Sequence, residues 1–179
     1  MSKVTVICGS SNQNGFSYHI SNRIFSQCQY LKLDCSLFHP SKMRIAHCSG
    51  CNQCKNGICS IDDDMKEILD SVSESELVFL LMPIHFSGPS SLIKTVMDRF
   101  QPCWFNELGF RGKICTIMCA GGKKPCYSYS EGIVRAFSIT TGMGIYSFLQ
   151  ISNTDELEPE LTDNLVDNYI DPLLKNLVG

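Results

Sequence analysis

The apolar positions of the chain change period from one segment to the next. Val4, Val6 and Cys8 lie in a β-branched run that stops at Gly9-Ser10-Ser11, after which Ile20, Ile24, Phe25 and Cys28 share one helical face. Strand, loop, helix is the opening unit. Leu33, Cys35 and Leu37 alternate with polar residues as in an edge strand, whereas the polar, glycine-containing stretch 39–61 shows neither period and reads as a long loop. Asp64 followed by Glu67 predicts a helix cap ahead of Met65, Ile68, Leu69 and Val72, and the continuous run 77–82 predicts a central strand buried on both faces. Ser90 or Ser91 is placed to cap a helix carrying Leu92, Ile93, Val96, Met97 and Phe100. Ile114, Thr116, Ile117 and Met118 form another buried strand. Ser128 with Glu131 reads as a capping box before Ile133, Val134 and Phe137, Gly142 ends that helix, and a strand follows over 145–151. Leu161, Leu165, Tyr169, Leu173 and Leu177 define a last helix that Pro172 is expected to kink or interrupt.

Five strands alternating with helices imply a parallel α/β sheet with helices on both faces. The simplest topology is the doubly wound, flavodoxin-like order 2-1-3-4-5, as one domain over residues 1–179 with a cysteine-rich loop at 44–62. Ligands of such sheets sit beyond the carboxyl ends of the strands at the switch in strand order, so the loops after Cys8, Met82 and Cys119 should converge.

Composition narrows the partners. The chain has 179 residues with 15 Lys+Arg against 18 Asp+Glu, a net charge of -3, and lacks the basic block that would draw nucleic acid or anionic lipid. No apolar run approaches a membrane span, and the amino end, Met1-Ser2-Lys3 and then 4–8, turns to glycine and serine before it could form a secretory signal. A soluble, cytoplasmic protein is expected. The 11 cysteines are odd in number and four of them crowd into 48–59, which fits a reducing compartment better than a disulfide framework.

Between the first strand and first helix, Ser10, Ser11, Asn12, Asn14, Gly15, Phe16 and Ser17 offer backbone N–H groups, short polar donors and a helix amino end, which together suit a phosphate. The alternative is an ordinary turn and cap. The segment has neither the Gly-Lys-Ser/Thr ending of a P-loop nor the three-glycine dinucleotide fingerprint, which favours a lone terminal phosphate. Cys48, Cys51, Cys54 and Cys59, spaced x2, x2 and x4 with Gly50 and Gly57 between them, suit an iron-sulfur cluster. Zinc, free thiols, a redox disulfide and a site that has lost its cluster remain open alternatives. His47 reads as solvated, and Cys126 as a thiol that Lys123 and Lys124 could activate. That lysine pair is either a solvated face or a contact for a nicotinamide phosphate.

Taken together, 8–15, the four cysteines, Asp63-Asp64-Met65, Pro83-Ile84-His85-Phe86 and 94–99 resemble the iron-sulfur flavoproteins, within the wider group of NAD(P)H-dependent FMN reductases, in the right order over residues 3–122. The resemblance implies noncovalent FMN, its phosphate on 10–17 and its ring between Pro83, Ile84, His85, Phe86 and Ser87 on one side and Ala120, Gly121 and Gly122 on the other. It also implies a 4Fe-4S cluster on Cys48, Cys51, Cys54 and Cys59, and homodimers or homotetramers that bring cluster and flavin together. Two positions depart from the family pattern: Asn12 and Gln13 stand where many relatives carry a basic residue, and His85 replaces a tyrosine. The expected activity is FMN-dependent redox chemistry at flavin N5 without a catalytic side chain, coupled through the cluster to one-electron carriers such as ferredoxin. The alternatives are a cluster-free NAD(P)H-dependent flavin, quinone or azo reductase and, in another class, a noncatalytic metal knuckle or redox-sensing module.

Overall fold

The structure, a computed structural model, describes residues 3–106 and 109–178, so the reading of Met1 and Ser2 falls outside it. The apolar runs become five parallel strands, β1 (Lys3–Cys8), β2 (Asp34–Phe38), β3 (Leu77–His85), β5 (Lys113–Cys119) and β6 (Gly144–Ile151). Their order is β2-β1-β3-β5-β6, the expected 2-1-3-4-5 once the short β4 (Gly88–Pro89), which folds back antiparallel on the end of β3, is numbered.

Alternation along β3 explains why its run is unbroken. Leu77, Phe79 and Leu81 enter one core with Ile20 and Ile24 of α1 (Phe16–Tyr30) and Val166 and Ile170 of α6 (Asp163–Val178). Val78, Leu80 and Met82 enter the other, with Ile68 of α2 (Met65–Glu74), Ile93 and Val96 of α3 (Ser91–Asp98) and Val134 and Phe137 of α5 (Ser128–Thr141). Each such aliphatic side chain contributes about 1.5–3 kcal/mol by leaving water. Two layers of helix therefore fix the strands, and the carboxyl ends of β1, β3 and β5 lie side by side.

Local details depart from the sequence reading. The helix expected to reach Phe100 stops at Asp98, and a further helix, α4 (Gln101–Asn106), follows at once. Asp64 does not cap α2: its Oδ2 accepts from Arg44 N at 2.6 Å, while Asp63 Oδ1 takes the Met65 N–H at 3.2 Å. No side chain caps α5 either, because Glu131 accepts from Gln150 Nε2 on β6 at 2.6 Å instead. Ser90 does cap α3, accepting from Ile93 N at 3.4 Å. Pro172 is carried inside α6, which runs on for six further residues. The stretch 39–61 is irregular apart from two single 3-10 turns at Pro40–Lys42 and Gln53–Asn56. Among the described residues no helix is long and apolar enough to cross a membrane.

Candidate functional site

At the carboxyl edge of the sheet, the loops after β1, β3 and β5 border a cleft of about 950 Å³. The first loop is drawn tightly onto the sheet. Gly9 N donates to Leu81 O at 2.9 Å and Ser90 Oγ donates to Gly9 O at 2.7 Å, and a Cβ on Gly9 would overlap the Ile93 side chain. The loop then closes on itself, with Ser10 Oγ accepting from Asn12 N at 3.1 Å and Asn12 Oδ1 accepting from Asn14 N at 3.0 Å. Gly15 opens α1 with no side-chain cap and with no acidic residue in the first turn. The positive end of the helix is therefore left for an external anion.

The facing wall is the hairpin of β3 and β4, turned through Phe86 (φ 50°) and Ser87 (φ 65°). Two successive left-handed residues make the turn that matches strand twist, and neither is glycine, so the turn holds local strain. It displays Phe86 fully to solvent at the rim, while Ser87 O is anchored by Ser130 Oγ at 2.9 Å. The third wall is 120–122, clamped to the loop after β6 by Asn153 N to Gly122 O at 2.9 Å and Thr154 N to Ala120 O at 3.1 Å.

Of the residues read from the sequence, Ser10, Ser11, Asn12, Gly15, Phe16, Ser17, Pro83, Ile84, His85, Phe86, Gly121 and Gly122 line this cleft. Asn14, Ser87 and Ala120 do not border it. The structure adds Ser41, Thr154 and Asp155, which no local pattern marked. Ser41 leans on the first loop through Ser10 O at 3.4 Å. Beside it Lys42 Nζ donates to Tyr18 OH at 2.8 Å, and the Tyr18 ring stacks on His39 with centroids 4.3 Å apart. Burial, helped by the Lys42 charge, pulls the His39 imidazole below its ordinary range. Cys119 forms part of the wall, where burial pushes its thiol up to about 12 and keeps it protonated.

The second feature is the cysteine loop. Cys48, Cys51, Cys54 and Cys59 all border one cleft of about 350 Å³, together with Arg99 and residues of α4. Their environments differ. Burial and then the neighbouring Cys59, Cys48 and Cys51 push the Cys54 thiol up, whereas hydrogen bonds from Gln53 N and the Ser60 and Ser49 hydroxyls pull exposed Cys51 down. Among the described residues no three His, Cys, Asp or Glu side chains come together as the ligand set of one ion. Four thiols border one cleft, the soft donor type that zinc and iron-sulfur sites share.

The ends of the loop meet at one buried ion pair. Arg99 Nη1 donates to Asp63 Oδ2 and to Ala46 O, both at 2.7 Å, and Nη2 donates to Asp63 Oδ1 at 2.9 Å and reaches Ile61 O at 3.5 Å. Asp63 Oδ2 also accepts from Ala46 N at 2.8 Å. The two side chains are only 2% and 3% exposed. Burial works to raise the Asp63 pKa, but hydrogen bonds from Arg99, Ala46 and Met65 hold it below the usual carboxylate range. Arg99 Nε is buried without a partner among the described residues. A donor left so costs about 1–3 kcal/mol.

His47 is exposed and does not border the cysteine cleft. The exposed Cys126 thiol is pulled down by the Ser128 hydroxyl and N–H, not by the lysines; Lys123 pairs with Glu156 at 2.9 Å.

A doubly wound sheet with an uncapped helix start at its switch point defines a protein of the flavodoxin-like class, built to take a phosphate-bearing ligand at that edge. Residues 2–146 match the model of the NADPH-dependent FMN reductases, and the chain belongs to that family. An iron-sulfur flavoprotein of Methanocaldococcus jannaschii is 38% identical over 80 residues, 43% of this chain and 40% of that protein. One of Archaeoglobus fulgidus is 27% identical over 142 residues, 76% of this chain and 64% of its own length. The chain thus spans less than two thirds of these curated relatives. Among solved structures, an FMN-dependent NADH-azoreductase from Bacillus anthracis in complex with FMN superposes with a TM-score of 0.71 at 15% identity, covering 99% of this chain and 100% of that one. That likeness shows the fold.

Proposed function

We propose that the protein is an FMN-dependent oxidoreductase in which the four cysteines hold a 4Fe-4S cluster. The observation that carries the flavin half is the cleft, with its uncapped helix start at one end and two loop walls facing each other across it. Ser10, Ser11 and Asn12, with the amides at the start of α1, would hold the phosphate. Pro83, Ile84, His85 and Phe86 would face Gly121 and Gly122 across the ring. Bound FMN supplies hydride and electron exchange. The chain's work is to orient it and shield one side from water, with NAD(P)H or ferredoxin as donor.

The cluster half is supported by four thiols around one cleft and by the iron-sulfur flavoproteins among the curated relatives. Such a cluster exchanges single electrons with carriers such as ferredoxin. A homodimer or homotetramer in the cytoplasm is the assembly and setting this reading expects. The FMN cleft shares no lining residue with the cysteine cleft, which favours a cluster-free NAD(P)H-dependent flavin, quinone or azo reductase as the second reading.

Anaerobic purification with an absorption spectrum, iron and sulfide assays and a flavin titration tests both halves. Flavin bands with a broad cluster shoulder are expected, and flavin alone selects the second reading. Ser17→Asp, which sets a carboxylate against the phosphate at the start of α1, should weaken FMN by about tenfold or more. Unchanged affinity would remove the phosphate from this loop.

A further inference from the structure

We infer that Arg99 is the positioning residue of the cysteine loop and donates, through the Nε–H that has no partner among the described residues, to the sulfur-rich group the four thiolates surround. The inference rests on the cluster reading and adds to it a residue that is not a ligand.

The guanidinium has five N–H donors in a rigid plane. The Nη1 and Nη2 groups hold the Asp63 carboxylate, the carbonyl of Ala46 at the entry of the loop and the carbonyl of Ile61 at its exit. One side chain thus fixes the distance between the stems, and with it the span within which Cys48 and Cys59 present their sulfurs. Arg99 also borders the cleft that Cys48, Cys51, Cys54 and Cys59 line. Nε is what remains, a buried donor with no acceptor among the described residues. Buried polar groups are satisfied as a rule, so an orphan donor on a side chain that borders a thiol-lined cleft is consistent with an acceptor that arrives with the ligand. Thiolate and bridging sulfide are such acceptors, and hydrogen bonds to cluster sulfur are one of the means by which a protein sets its potential. A lysine keeps the charge and a bond to Asp63, but cannot span two carbonyls and a carboxylate while presenting a further donor.

The test compares wild type and Arg99→Lys after anaerobic reconstitution with iron and sulfide. FMN content and circular dichroism serve as the measures of folding. Cluster retention is read as loss to an iron chelator, and the electron paramagnetic resonance spectrum and midpoint potential of the reduced cluster are recorded. Arg99→Lys should bind FMN as wild type does, lose its cluster about 10–100-fold more readily and show a lower potential. Arg99→Gln should share the cluster defect if it folds. If wild type holds its cluster and Arg99→Lys matches it in retention, spectrum and potential, Arg99 has no role toward the cluster and this inference alone falls. If reconstituted wild type carries FMN but no iron, the cluster reading falls and takes the inference with it.

Discussion

Gly9 stands where the chain leaves β1, and the packing there leaves no room for a side chain. A Cβ would overlap Ile93 and lie 2.9 Å from the Leu81 carbonyl oxygen, which is backbone and cannot rotate away. Gly9→Ala should therefore cost about 1–3 kcal/mol in urea unfolding and loosen FMN, because the loop above it must shift. Asp63 makes a different demand. Its carboxylate is ionised by its partners and buried with them, so Asp63→Asn leaves Arg99 charged and short of an acceptor, at about 3–5 kcal/mol. The pH dependence carries the same sign. The folded pKa lies below the unfolded value near ~3.9, so the pair's contribution is complete above that value and fades as pH falls through the folded one. Unfolding free energy between about pH 5 and 2 should fall less steeply in Asp63→Asn than in wild type. Gly9 was legible because it ends a strand, whereas Arg99 follows a helix like any surface cation and is buried only once the cysteine loop folds over it.

Among the elements, α1 and α6 are joined by a ladder that follows the helix repeat: His19 to Asp163 at 2.7 Å, Arg23 to Asp163 and Asp167, and Gln27 to Asp171 at 2.9 Å. The rungs advance four residues at a time on both helices, so the helices run side by side in the same direction. Packing of this kind is what carries Pro172 through α6 without a break. Pro172→Ala restores a backbone hydrogen bond but also frees the unfolded chain, and should stabilise by about 2 kcal/mol, visible as a raised Tm. An unchanged or lower Tm would mean that α6 is already shaped around the ring. The strands and most helix faces were legible because burial imposes its period on the residues themselves. The caps at Asp64 and Ser128 misled because Arg44 and Gln150, distant in sequence, engage Asp64 and Glu131. Thr154 and Asp155 left no trace for the same reason: Thr154 reaches the cleft through backbone pairing with Ala120, and the Asp155 carboxylate packs onto Gly121, distant in sequence, where a Cβ would overlap it.

For the molecule as a whole, the proposed sites of two-electron and one-electron chemistry occupy different loops above one sheet. Serine at Cys48, Cys51, Cys54 or Cys59 should abolish or destabilise the cluster and leave FMN binding intact, since the loops around the FMN cleft do not include these residues. Turnover with a one-electron acceptor should drop far more than hydride transfer from NAD(P)H to flavin; equal turnover in all four variants would make the cysteines bystanders. The meeting of both loop stems on one guanidinium has a consequence for how such a molecule can be altered. Ala46 and Ile61 are neighbours in space although the chain travels through all four cysteines between them. The intervening span is a detachable cassette: a short glycine linker across the gap would shorten the closed loop from fourteen residues to about four, a saving in chain entropy of about 1 kcal/mol. The circuit would then lose its one-electron outlet and keep its hydride port.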